Sequence, residues 1–209
     1  MNRPRRNEHN REKILETGME LFNRQGYNGT GLKEILDACQ VPKGSFYNYF
    51  ASKEQFAVEV LEYHQQLEDE KWKQFHDSLS GDRITRMRQI LNQLIAEQEQ
   101  DPDKQGCLLT NMMGEVGSAS ESFRRIIQHS SDQVLQCIEE DFLKAQQEHS
   151  MRIDMPASVM AKLFWNAWQG ALLRTKVEAS TDPLHEVIDS LFTLFAQPAE
   201  QPAEQPDKS

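Results

Sequence analysis

With 209 residues, 38% of them hydrophobic, 27% charged, and only 8 Pro and 10 Gly, the chain has the composition of one large globular domain or a small one fused to a larger one. No apolar run nears the roughly 18–20 residues that span a bilayer, and the basic start Met1-Asn2-Arg3-Pro4-Arg5-Arg6 lacks the apolar stretch of a signal peptide, so a cytoplasmic protein with no membrane partner is expected. A net charge of −10 argues against a body that binds nucleic acid over its whole surface.

In chain order, Ile14, Leu15, Met19, Leu21 and Phe22 recur near the helical period and predict a first helix over 10–25, closed by Gly26. A short helix over 32–38 follows, with Leu32, Ile35 and Leu36 on one face. After the turn Cys39-Gln40-Val41-Pro42 comes a second short helix over 43–49. Ser52-Lys53-Glu54-Gln55 has the form of a capping box and opens a long helix reaching about Phe75. The next helix spans 83–98 behind Asp82, and the polar loop 101–106 leads to a short helix over 107–116. Ser118 and Glu121 form a second capping-box pattern, expected to open a helix to about His149. Pro156 falls in the first turn of a helix to about Glu178. Asp182-Pro183 pairs a cap residue with a first-turn proline and starts the last helix, to Phe195. Residues 197–209 repeat Gln-Pro-Ala-Glu and read as a disordered acidic tail. The fold class is all-α with about nine helices: a helix-turn-helix unit over 1–51, including a basic N-terminal arm, and a helical body over 52–196.

The charge is unevenly placed. Residues 1–59 carry nine Lys/Arg against eight Asp/Glu, while the remainder is net −11. A mildly basic head on an acidic body fits DNA contact at one end. Within that head the second short helix mixes apolar Val41, Phe46 and Phe50 with a polar-aromatic face of Lys43, Ser45, Tyr47 and Asn48. One helix fits a major groove, where such side chains reach base edges and phosphates. Gly44 lets the start of that helix approach the DNA backbone closely. Phe46 and Phe50 are read as core.

The segment from Thr30 to Glu54 resembles the DNA-binding signature of the TetR/AcrR family: Thr30, Glu34-Ile35, Val41-x-x-Gly44-Ser45-Phe46-Tyr47-x-x-Phe50, then Ser52-Lys53-Glu54. The resemblance implies a homodimeric repressor on a palindromic double-stranded operator, paired through its last two helices and released by a small-molecule effector bound in the C-terminal body. Carried over by position, Thr30, Tyr47 and Lys53 are expected to hold phosphates, and Lys43, Ser45 and Asn48 to face bases. Two positions depart from the pattern: Gln40 stands where the family often has Gly, and Gly31 replaces a frequent Ser/Thr. If Gln40 is left-handed, it costs roughly 1 kcal/mol relative to Gly.

Phe164, Trp168 and Leu172 on the penultimate helix, with Ile188, Leu191, Phe192 and Phe195 on the last, are the candidates for the dimer interface. Gly106-Cys107-Leu108 followed seven residues later by Glu115 is similar to a stretch of the NemR-like branch, which responds to electrophiles such as quinones and aldehydes. Cys107 in a helix's first turn is then either a reactive sensor, its thiolate favoured by the helix dipole, or a small packing residue. The same resemblance places Lys176 near it, and the cluster that includes Met112 and Trp165 reads as pocket lining or core. Cys39 and Cys137 are read as core. Three cysteines without C-x-x-C spacing and six scattered histidines suggest no metal, and no cofactor fingerprint or catalytic constellation points to an enzyme. The remaining alternative is a helical adaptor that binds only proteins, against which the polar-aromatic helix argues.

Overall fold

The computed structural model describes residues 6–100 and 106–196, and the described residues form nine helices with one isolated β-bridge between Met151 and Ala196. The first five residues of the basic arm, the loop 101–105 and the tail 197–209 lie outside them.

The first helix, α1 (Arg6–Gly29), does not end at Gly26 as its sequence suggests. It kinks there, with Gly26 at φ 78° and ψ 169°, and continues one more turn. α2 (Leu32–Cys39) starts on Gly31, which has no side chain to cap it. Gln40 does take the left-handed backbone, at φ 57°, so that its own N–H and that of Val41 close back on Asp37 O and Leu36 O. α3 (Lys43–Tyr47) stops two residues before expectation. Tyr49 N–H bonds Phe46 O in the tighter three-residue pattern as the chain turns Phe50 inward. Phe56 meets Phe46 and Phe50 edge to face and those two pack tilted against each other, all with centroids 4.9–5.3 Å apart, and this aromatic cluster is the core of the head.

α4 (Lys53–Ser78) begins on the expected cap: Ser52 Oγ accepts the Gln55 N–H at 3.0 Å, and Gln55 Oε1 reaches back to the Ala51 N–H. Asp82 caps α5 (Arg83–Gln100) through the Thr85 N–H at 2.8 Å. After α6 (Leu108–Val116), the second capping box is displaced. Ser118 stays in a turn closed by the Ala119 N–H on Val116 O. Ser120 is the cap of α7 (Glu121–Gln147) instead: it accepts the Phe123 N–H and donates its own proton to Glu54 on α4. α8 (Ala157–Glu178) follows Pro156, and α9 (Asp182–Phe195) follows Thr181.

The pairing of α7, α8 and α9 gives most of the residues expected at the interface partners inside the protomer. Phe164, Trp168, Leu172, Ile188, Phe192 and Phe195 are all buried within this one chain. Phe142 on α7 is the hub, meeting Phe164, Phe192 and Phe195 at 5.7–6.5 Å. Leu191 is half-buried. The largest apolar side chains of both helices thus close the protomer's own core, where they bury the most area.

Candidate DNA interface and effector cavity

On α3 the two faces separate as the sequence suggests. Phe46 and Phe50 are wholly buried, while Lys43, Gly44, Tyr47 and Asn48 are exposed and Ser45 is half-buried. Tyr47 packs edge-on against Phe46 at 5.6 Å, with the Lys43 ammonium 6.0 Å over its ring. A methyl at Gly44 would meet nothing within 4 Å, which leaves the start of the helix open to an approaching surface. One expected phosphate ligand, Thr30, is corrected, and a second, Lys53, is half-buried with one bond to the protein. Thr30 is fully buried and its hydroxyl donates to Gly26 O at 2.6 Å, so no proton is left for a phosphate. Lys53 is turned into the protein: its ammonium donates to Tyr27 O and sits 4.0 Å over the Tyr27 ring, and burial lowers its pKa against the pull of Glu115. Both residues hold the corner between α1 and α4 that presents α2 and α3.

In the body, α4, α5, α7 and α8 enclose a cavity of about 570 Å³ that reaches the start of α6. Leu91, Leu109, Phe164, Trp165 and Trp168 give it apolar walls, and Cys107 and His64 face it. Cys107 is the N-cap of α6, with a side chain that makes no cap bond. Burial by itself would push its thiol up; the neighbouring His64 outweighs that and holds the thiol below its usual value. His64 responds in kind. Burial pulls its pKa down, but Cys107 and Glu68 raise it above the ordinary histidine value. The other thiols differ: burial raises both Cys39, in the core, and Cys137, which is exposed at the cavity rather than packed.

Of the other expected sensor residues, Trp165 lines the cavity, whereas Met112 is buried in the core and forms no part of the lining. Lys176 donates to Asn111 Oδ1 at 2.8 Å.

Residues 14–60 match the domain described as bacterial regulatory proteins, tetR family, and residues 84–191 match the tetracyclin repressor-like C-terminal domain. The chain is 31% identical to the HTH-type transcriptional repressor DhaR of Mycobacterium sp. (strain GP1) over 87% of its own length and 90% of that protein. The chain belongs to the TetR family of transcriptional regulators. It is also 30% identical to the transcriptional repressor NemR of Escherichia coli (strain K12), over 90% of its length and 95% of that protein. The crystal structure of E. coli NemR in its reduced form superposes with a TM-score of 0.84, covering 91% of this chain and 99% of that one. The family and these relatives are regulators, not enzymes. No described helix is long and apolar enough to cross a membrane.

In this TetR-family chain α6 joins the cavity to the DNA-reading head. Its first residue is preceded by Gly106 at φ 74° and Cys107, and Gly106 O accepts from Asn23 Nδ2 of α1 at 3.5 Å. One turn on, Asn111 donates to Asn23 Oδ1 at 2.7 Å. At its far end Glu115 accepts the backbone N–H groups of Tyr27 and Asn28 at 2.8 and 2.7 Å, the two donors that the kink at Gly26 releases from the α1 ladder. Glu115 is within the sequence pattern around Cys107, but nothing in the pattern names its partner. His64 was missed outright, because it reads as one more residue on the long α4 stripe. Its sole sequence signal is a titratable side chain one turn beyond the buried Val60 and Leu61.

Proposed function

We propose that the chain is a homodimeric TetR-type repressor whose α3 reads a palindromic operator and whose release is triggered by a small electrophile or oxidant at Cys107. The observation that carries this reading is the position of Cys107: an acidified thiol opening on a cavity, at one end of a helix whose other end grips α1 at its kink. An adduct that displaces the start of α6 would draw on Asn111 and Glu115 and so tilt α1 with α2 and α3. In a dimer that tilt changes the spacing of two recognition helices, which must sit about one helical turn of DNA apart. A coupling of about 1–3 kcal/mol suffices for a 5–150-fold loss of affinity. The reduced form named for the NemR structure is in keeping with a regulator whose redox state matters.

Base contacts are assigned to Lys43, Ser45 and Asn48, and a phosphate contact to Tyr47, with a head over 1–51 and a body over 52–196. Treatment with maleimide or a quinone should release the unmodified protein from its operator, while Cys107→Ser should bind DNA and stay bound. Release of Cys107→Ser by the same reagent would refute the thiol switch. The second reading would then stand: a hydrophobic ligand held non-covalently against Trp165 and Trp168, which the 570 Å³ apolar-walled cavity favours.

A further inference from the structure

We infer that the cavity takes a lipophilic organic cation, an aromatic body carrying a quaternary nitrogen, with the aromatic part against Trp165 and Trp168 and the charge at the opening between α4 and α7. This deepens the reading of the cavity as a non-covalent effector site and rests on it. A volume of about 570 Å³ is that of a small-molecule pocket. All three tryptophans of the chain, Trp72, Trp165 and Trp168, line it. Phe164 and Trp168 lie nearly parallel, 15° apart with centroids at 6.0 Å, so α8 brings two aligned rings to the lining.

The charges of that lining are unequal. Four carboxylates, Glu68, Asp69, Glu97 and Glu140, stand against two ammonium groups, Lys71 and Lys73. Glu97 is engaged by Lys71 in an ion pair. Asp69 and Glu140 instead accept from the neutral side-chain amides of Gln65 and Gln136, at 2.9 and 3.0 Å, which orient the carboxylates without cancelling their charge. Glu68 on α4 and Glu140 on α7 are exposed, so the surplus sits where the cavity meets solvent. A protonated His64 brings the positive count to three, still one short of the carboxylates. Trp72 follows Glu68 by four residues and shares its face of α4, so a cation there meets an indole as well as carboxylates. The rest of the protein acts in the same direction. Residues 60–209 are net −11, and a cleft with apolar walls and one prevailing sign of charge focuses such a field on its opening. An anion meets that field reversed, and a neutral molecule gains nothing from it. Deep in the cavity an ammonium would lose its water without a partner; at the opening it keeps part of its hydration while the aromatic body is buried.

The test uses the full chain without DNA, beside Cys107→Ser, and reads tryptophan emission, which in this protein arises only from the cavity lining. The probes are N,N,N-trimethyl-2-naphthylammonium, its neutral isostere 2-tert-butylnaphthalene, and the anion naphthalene-2-sulfonate. The cation should bind at least about tenfold more tightly than the anion at low salt, and equally in both proteins. Raising the salt from about 0.02 to about 0.5 M should remove most of that difference. The double variant Glu68→Gln, Glu140→Gln, altered only at exposed positions, should weaken the cation by about threefold or more and leave the isostere unmoved. Lys73→Gln should strengthen the cation. An anion that binds as tightly as the cation overturns the inference, and so does a cation affinity unmoved in the double variant. Binding of the isostere alone keeps the cavity as an effector site and overturns the cation. Emission unmoved by all three probes overturns both. None of these outcomes touches the thiol switch, which is read from DNA release in Cys107→Ser.

Discussion

Gly26 satisfies two demands at once. Its φ of 78° lies where an L side chain is strained, and a methyl there would stand 2.6 Å from Glu115 Oε2. Gly26→Ala should therefore cost about 1–3 kcal/mol, part from the backbone and part from displacing the carboxylate that holds two N–H groups. Urea unfolding measures it, and an unchanged midpoint would mean that the kink relaxes freely. Asp82 shows the pH dependence of a cap. The Thr85 N–H bond to its carboxylate leads the forces that hold its pKa below the ordinary aspartate value. A depressed carboxylate stabilises the fold above its unfolded pKa of about 3.9, and that contribution is lost as pH falls through the folded value. At neutral pH Asp82→Ala should cost about 0.5–1 kcal/mol, the exposed end of the range for lost caps. The gap between variant and unmodified protein should close below about pH 3.9. A gap that persists into acid would assign the effect to shape rather than charge.

At the scale of the helix, α3 and α6 have separate tasks that mutations can divide. Tyr47→Ala and Lys43→Ala should each weaken operator binding with the helical circular dichroism intact. Lys43→Ala should also relax sequence discrimination at one operator position, at a cost of about 1–3 kcal/mol, because Lys43 is assigned to a base edge. Lys53→Ala and Thr30→Val should act on stability more than on the salt slope, because both side chains are engaged inside the head. Equal discrimination among operator variants by Lys43→Ala and the unmodified protein would remove Lys43 from the base contacts. On α6, Glu115→Gln keeps one acceptor where the carboxylate offers two, against two backbone donors. It should still bind the operator but need more thiol modification for the same release. Release curves identical to those of the unmodified protein would show that coupling bypasses this contact.

For the whole molecule, the proposed dimer would form on the apolar surface that the protomer leaves uncovered. Along α8, Val159, Leu163, Leu173 and Val177 are exposed, Val177 to 87%, and with Asn166 and Gly170 they follow alternating steps of four and three. That spacing lays one continuous stripe along a helix, as a two-fold helix pairing needs. Leu194 continues the apolar surface on α9, with the half-buried Val187 and Leu191 beside it. A mass near twice 24.2 kDa is expected in solution. Leu163→Glu or Leu173→Glu should shift it towards the monomer with helicity retained. Trp168→Asp or Phe192→Asp should instead unfold the chain, since each would bury an unpaired charge in the protomer core. A monomeric unmodified protein at micromolar concentration would remove the dimer from the proposal.

The sequence by itself determined the order of the helices, the aromatic inner face of α3 and the family, because each depends on neighbours three or four residues apart. Apolar period, caps such as Ser52 and the run from Val41 to Phe50 are local signals, and the chain obeys them. What only the tertiary structure decided was which of two apolar faces each long helix spends on its own core. Period marks Phe164 and Leu163 alike as apolar; α7 and α9 bury the first and leave the second. The same holds for the site. Cys107 was legible as a helix-start thiol, but its partner His64 lies 43 positions earlier, on another helix. Likewise, Glu115 meets the Tyr27 and Asn28 backbone only because Gly26 turns those donors out of α1. Such pairings join groups far apart in the chain, and packing, not local pattern, brings them together.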